Sequence, residues 1–330
     1  MANTSSSVFG HGRAPGGPDP AANKKRRPEA TVLGQAVTYK TTYDPTLLVP
    51  VPRQENRDHL DIHADNLPFV GCDVWNAYEV SCLSANGCPV VGIAKIRYSS
   101  DSVSIVESKS IKLYLNSFNM TKLGSTETTP DDIRLLMESM IATDLAGVLQ
   151  TDVHCNIFDP CSTEKVNPQT LCDDDADMEE LEWETAPEQM IENFKYTEHP
   201  EILQTEEAET SNLYGCYSEL LRSNCRVTHQ PDWGSVIIKY RGKLKVTTAP
   251  LMRYIISFRN ENHFHEEICE TIYKRLYDIL DPEDLIVACF YTRRGGIDIN
   301  PIRASSQELL DSVYRTYINV GIKSFKTARQ

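Results

Sequence analysis

The sequence predicts an α+β protein in which antiparallel sheets carry helices on one face. Three observations lead there: β-branched runs that read as strands, two amphipathic helical stretches, and an order of elements that occurs twice. In the first half, "PVVGIAKIRY" and "SVSIVES" read as strands, followed by the apolar-patterned "SIKLYLNSFN". A helix comes next. Thr129 suits an N-cap, Pro130 the first helical position, and Asp131 and Asp132 the first turn. Behind them Ile133, Leu136, Met137, Met140, Ile141, Leu145, Val148 and Leu149 keep i, i+3, i+4 spacing.

In the second half, "SVIIKY" and "KLKVTT" flank Arg241-Gly242 and read as a hairpin. Then come "APLMRYIISFRNEN", a helix over 265–280 with Phe264, Ile268, Ile272, Leu276 and Ile279 on one face, and the strand "LIVACFYTRR". Tyr114, Ser117 and Phe118 recur as Tyr254, Ser257 and Phe258 at a constant offset of 140, but the repeated order of elements carries the argument for duplication. The β-α-β alternation of a doubly wound parallel sheet is absent. A pocket between two similar halves is a natural place for a ligand.

With 330 residues, 40% hydrophobic and 24% charged, the chain can bury a large core or form two domains of about 150 residues. We expect a tail over 1–32, an N-terminal module over 33–170, an acidic connection over 171–211 and a C-terminal module over 212–330. The connection holds "CDDDADMEELEWETAPEQ" and "QTEEAETS". "MANTSSSVFGHGRAPGG" lacks an apolar signal region, and no run of about 18 apolar residues occurs, so a cytoplasmic protein without membrane contact is expected. A net charge of −14 argues against direct nucleic-acid binding despite "KKRR" at Lys24–Arg27. Ten cysteines without a C-x-x-C pair read mostly as reduced core thiols.

The chemistry concentrates in four stretches. In "SNCRVTHQPDWG", Cys225 precedes Asp232 by seven positions, with His229 between them. A thiol attacks as thiolate and needs a base or positive charge nearby; His229 and Asp232 are both candidates, and a buried inert thiol is the plain alternative. In "VESKSIKLYLNSFN", Glu107 can accept from a planar N–H edge, while Lys109 and Lys112 suit phosphate or solvent. "ENHFHEE" places His265 and Glu266 at a helix start, where the H-x-H-E pattern finds no Cys/His partner at zinc spacing. "YTRRGGIDINP" sets two arginines before two glycines, suited to an anion or simply to a tight turn.

Together with "YDPTLLVPVPRQENR" and "LPFVGCDVWNAYEVS", these stretches resemble the NADPH-dependent 7-cyano-7-deazaguanine reductases, the nitrile reductases of queuosine biosynthesis, in their long two-module form. The likeness runs over roughly 33–303. It implies the tunnel fold, a homodimer, and reduction of the substrate nitrile to a primary amine with two NADPH. Cys225 is then the nucleophile that forms a thioimidate, and Asp232 the acid. Val106, Glu107, Ser108, His265 and Glu266 contact the substrate. Ser108, Lys109, Arg294 and Gly295 contact NADPH, and no metal is implied. Phe264 and Trp233 are expected to exclude water. The long tail and the acidic connection depart from the family's pattern. Two other readings are a zinc-dependent cyclohydrolase-like enzyme of the same fold and a non-catalytic deazapurine-binding module.

Overall fold

The computed structural model describes residues 40–159, 179–180 and 194–313. The predicted tail, its "KKRR" cluster and most of the acidic connection lie outside the described residues. The first half contains strand β1 (Pro50–Pro52), helix α1 (Gln54–Arg57), strands β2 (Val70–Ser84), β3 (Pro89–Ser99) and β4 (Ser104–Val106), helix α2 (Ser108–Ser117), strand β5 (Lys122–Leu123), helix α3 (Pro130–Leu149) and strand β6 (Val153–Phe158). A short strand β7 (Glu179–Glu180) follows. The second half contains β8 (Thr205–Ser218), β9 (Arg222–Cys225), β10 (Pro231–Val246), α4 (Thr248–Ser257), β11 (Asn262–His263), α5 (His265–Leu280), β12 (Asp284–Tyr291), β13 (Ile297–Ala304) and α6 (Gln307–Val313).

The main sheet runs β8-β10-β12-β13-β2-β3-β6, every neighbouring pair antiparallel. One face carries α2 and α3 over the first half and α4 and α5 over the second, with separate apolar clusters beneath them. That is the predicted α+β arrangement. The short helix α6 covers the opposite face, where Leu310 packs with Cys72, Val74, Ile237 and Ile302.

Local chemistry explains the helices. The Thr129 hydroxyl accepts from Asp132 N–H at 3.2 Å and the Asp132 carboxylate reaches back to Thr129 N–H, closing a capping box. Ile133, Met137, Ile141, Leu145 and Leu149 form a buried i, i+4 row, whereas Leu136 is exposed because it turns away from the sheet. The duplication extends to side-chain contacts. Ser117 and Ser257 hydroxyls donate to the carbonyls of Tyr114 and Tyr254 at 2.6 and 2.7 Å, and each tyrosine meets the following phenylalanine edge-on at 5.4 and 5.3 Å. Both long helices end on a left-handed residue, Gln150 (φ 54°) and Asp281 (φ 41°).

Three readings change. "SVIIKY" and "KLKVTT" are one strand, β10, because the neighbouring β8 accompanies it past Gly242 and the irregularity there is a bulge between Gly242 and Leu244. Residues 205–211, read as connection, belong to β8, whose backbone is satisfied by β10 despite its acidic side chains. "IDINPIRA", whose first five residues belong to the stretch read as suited to an anion or a tight turn, is the strand β13. Its Pro301 is tolerated because pairing with β12 covers only Ile302–Ala304, so no ladder on that side needs its missing N–H.

β13 and β2 join the halves in register from Ile297↔Ala77 to Ala304↔Val70. A fully buried ion cluster staples this joint. Asp73 accepts from Arg53 and from Arg303 Nη1 at 2.8 Å; Glu270 accepts from Arg303 Nη2 at 2.9 Å and from Arg57 Nε and Nη2 at 2.9 and 2.8 Å. Burial alone would raise both carboxylates, but the guanidiniums outweigh it and hold them below the ordinary range. Removing one partner strands buried charges on the other side. Glu270→Ala is therefore expected to lower the unfolding free energy by about 3–5 kcal/mol in chemical denaturation; a loss below about 1 kcal/mol, the scale of an exposed pair, would show that the cluster does not hold the joint.

Candidate active site

The strand joint also forms the floor of a pocket lined by Trp75, Val106, Ser108, Cys225, Asp232, His263, Phe264, His265, Glu266, Arg294 and Ile299. Trp75 and Ile299 are cross-strand partners on β2 and β13 and supply that floor. β4, held by β1, brings in Val106 and the start of α2. The other wall is the N-terminal end of α5 with its N-cap residue Phe264.

Cys225 and Asp232 reach the pocket through a small hairpin. β9 pairs with the start of β10, Ser223 opposite Asp232 and Asn224 opposite Pro231, while the Cys225 N–H donates to Gln230 O at 2.8 Å. Alternation then puts Cys225 and Asp232 on one face of the ribbon, diagonally related. The loop is closed by His229 in a left-handed conformation, its N–H donating to Cys225 O. Its ring contacts Asn262 at 2.8 Å and is exposed, outside the pocket lining. Of the two sequence candidates for a proton partner, Asp232 is the one in the pocket.

Asp232 is buried between two cationic or hydrogen-bonding groups: Arg294 Nη1 donates to Oδ1, and His265 Nε2 lies 3.4 Å from Oδ2. Burial pushes its pKa up, but His265 and Arg294 together win and hold it below the usual carboxylate value. Asp232 is thus an anion in this state. His265 stacks on Tyr291 with ring centroids 3.8 Å apart, which fixes the imidazole plane. Arg294 also donates to Gln230 Oε1 at 2.6 Å, so the turn after β12 is tied to the hairpin.

Glu266 has the opposite environment. Burial, with Asp73 nearby, pushes its pKa from 4.5 up to about 8, partly opposed by Arg53 and Arg303. Its Oε1, like His265 Nδ1 and the Trp75 indole Nε1, is buried with no hydrogen-bond partner among the described residues. Glu107 sits differently from the sequence expectation. Its carboxylate caps α2, accepting from Lys109 N–H at 2.9 Å and Ser110 N–H at 2.7 Å, and is not among the lining groups. Lys109 is exposed beside it, and Gly295 lies in the turn outside the lining. Phe264 lines the pocket as expected; Trp233 does not, and lies instead beneath Arg259 at 5.3 Å. Trp75 and Ile299 were given no role from sequence, and His263, weighed there only within the H-x-H-E pattern, is brought to the pocket as the register partner of Cys225 on the parallel strand β9.

Comparison with known proteins places the chain in a family. Residues 39–157 match the family model described as nitrile reductase, 7-cyano-7-deazaguanine-reductase N-term, and residues 231–309 match that of QueF-like proteins. The chain is 42% identical over 281 residues to the NADPH-dependent 7-cyano-7-deazaguanine reductase of Rickettsia canadensis (strain McKiel), covering 84% of this chain and 94% of that one. The chain belongs to the 7-cyano-7-deazaguanine reductase family. Asp232, His265, Glu266 and Arg294 fall inside the second matched region, and Cys225 lies just before it. A crystal structure of the archaeosine synthase QueF-Like in the apo form is also similar, at 14% identity over 30% of this chain and 95% of that one, but its TM-score of 0.26 carries no argument about the fold.

Family membership leaves the ionisation of Glu266 to be measured in this chain. Its folded pKa lies above its unfolded one, so the folded state holds the proton longer and stability declines as pH rises through the window from 4.5 to about 8. Thermal midpoints of the unsubstituted protein and Glu266→Gln, compared across that window, should diverge, the unsubstituted protein losing ground at higher pH. Parallel curves would mean that Glu266 titrates as an ordinary carboxyl group.

Proposed function

We propose that the chain reduces the nitrile of 7-cyano-7-deazaguanine to the primary amine with two NADPH, through a covalent adduct on Cys225. The observation that carries this reading is the meeting of Cys225, an anionic Asp232 and an unpartnered Glu266 oxygen in one pocket. Glu266 Oε1 is an acceptor suited to the N–H edge of a guanine-like ring, and His265 lies beside it. Glu107, the acceptor expected from sequence, would have to leave its cap to join them.

Asp232 begins as the base. It takes the Cys225 thiol proton, sulfur adds to the nitrile carbon, and the same proton passes from Asp232 to the nitrile nitrogen, giving a thioimidate. Arg294 and His265 favour the returning carboxylate each time Asp232 gives up a proton. After the first reduction, departure of the Cys225 sulfur leaves an imine, which water would hydrolyse to an aldehyde; Trp75, Phe264 and Ile299 form apolar walls around that position. The second reduction gives the amine.

The residues at the pocket mouth fit a phosphate-bearing cofactor. Gly295 is left-handed (φ 56°), a conformation that L side chains rarely adopt, and the flexible Lys112 side chain reaches the space beside it. Arg294 and Ser108 line the pocket, and Lys109 is exposed beside it. NADPH, when bound, supplies one hydride to the substrate carbon in each reduction. The homodimer and cytoplasmic location implied by the resemblance belong to the same reading. The zinc-dependent alternative needs a ligand set, and no group of three or more His, Cys, Asp or Glu suited to a metal occurs among the described residues.

The test follows NADPH absorbance on mixing the protein with 7-cyano-7-deazaguanine while quantifying the amine. Two NADPH per amine are expected, with Cys225→Ala inactive and Asp232→Asn slowed at least about 10²-fold. Substrate binding without NADPH consumption would favour the binding-module reading. Turnover of substrate without NADPH would favour hydrolysis.

A further inference from the structure

Trp75 is among the largest fully buried side chains, at 1% exposure, and has a polar atom that no protein group satisfies: its indole Nε1 finds no partner among the described residues. Its cross-strand partners, Ile299 on β13 and Ile96 on β3, offer only apolar side chains. The indole N–H is a donor and nothing else, and native chains rarely leave a buried donor unmet. An apolar residue of similar size would fill this floor without that cost. The pocket, which Trp75 lines together with Glu266, is where its partner is to be sought.

We propose that Trp75 is a specificity-determining residue whose indole N–H donates to an acceptor of the bound heterocycle. The inference rests on the functional reading above and deepens it. A guanine-like ring presents two adjacent donors, N1–H and the exocyclic amine, flanked by the acceptors O6 and N3. With the donor pair on Glu266, one of these flanking acceptors falls to a neighbouring donor. Trp75 then selects for a ring with an acceptor beside its donor pair, and against analogues with a donor or a C–H there.

The test measures dissociation constants for 7-cyano-7-deazaguanine, and KM in the NADPH assay, for the unsubstituted protein, for Trp75→Phe, and for protein with benzothienylalanine at position 75. The last keeps the shape of the ring and replaces N–H by sulfur, so the floor stays filled where Trp75→Phe removes ring volume. Both variants should bind about tenfold more weakly, the scale of one buried hydrogen bond, with the loss in KM more than in kcat. The benzothienylalanine protein without ligand should unfold no earlier than the unsubstituted protein, which a purely structural role for the N–H would not give. Analogues lacking O6 or N3 should bind the unsubstituted protein more weakly, and one of them should erase the difference between it and the variant. Binding by the benzothienylalanine protein within twofold of the unsubstituted protein would overturn this inference alone. Failure of the unsubstituted protein to bind 7-cyano-7-deazaguanine would overturn the functional reading and this inference with it.

Discussion

The joint between β13 and β2 is the constraint on which the rest of the molecule depends. Each half alone has a sheet with one helix-covered face, and each would end at that joint on an open strand edge. Pairing them makes one sheet, and the pairing puts Trp75 beside Ile299 as the pocket floor. Arg53, Arg57 and Asp73 come from the first half, Glu270 and Arg303 from the second, so the ion cluster only exists when the halves are together. Buried ion pairs are poor sources of net stability compared with apolar packing, but they penalise misalignment severely. A shift of β13 by one residue would turn Arg303 to the other face, away from Asp73 and Glu270. The cluster thus fixes register, and register fixes the site.

The electrostatics of the pocket follow from the same arrangement. Two carboxyl groups line it, and their surroundings drive them apart: Arg294 and His265 keep Asp232 ionised, whereas Glu266, buried with Asp73 nearby, holds its proton to about pH 8. Separation of this kind assigns different roles to like groups. Asp232 is equipped to move a proton; Glu266 is equipped to receive a ligand's hydrogen bonds, since ionisation becomes favourable once donors surround it. Arg294 connects these roles to the glycine turn at the pocket mouth, touching Asp232 with its guanidinium and belonging to the turn by its backbone, where its N–H donates to Ile297 O at 2.9 Å.

What could be read from sequence was whatever local chemistry decides. α3 was visible in its cap and apolar row, α5 in its apolar row, and Cys225 and Asp232 as candidates in one short stretch, though not the hairpin that brings them together. β2 and β13 were hidden for a physical reason. Both faces of these strands are covered, by the helices on one side and by α6 or polar pairs such as Asn76–Asp298 on the other, so their sequences lack simple alternation. β10 looked like a hairpin because Gly242 marks a bulge as readily as a turn. The ion cluster has no local signature at all: Arg57 and Glu270 are 213 positions apart. Glu107 illustrates the limit for sites, since a carboxylate before a helix serves equally as cap or ligand, and in this structure it is the cap.

The central claim is that Cys225 forms a covalent adduct with the nitrile before any reduction takes place. The most direct measurement is the intact mass of the protein after incubation with 7-cyano-7-deazaguanine in the absence of NADPH. A gain of one substrate mass is expected, located at Cys225 by peptide mapping and absent from Cys225→Ala. An unmodified mass, in protein that binds the substrate and converts it once NADPH is added, would contradict it.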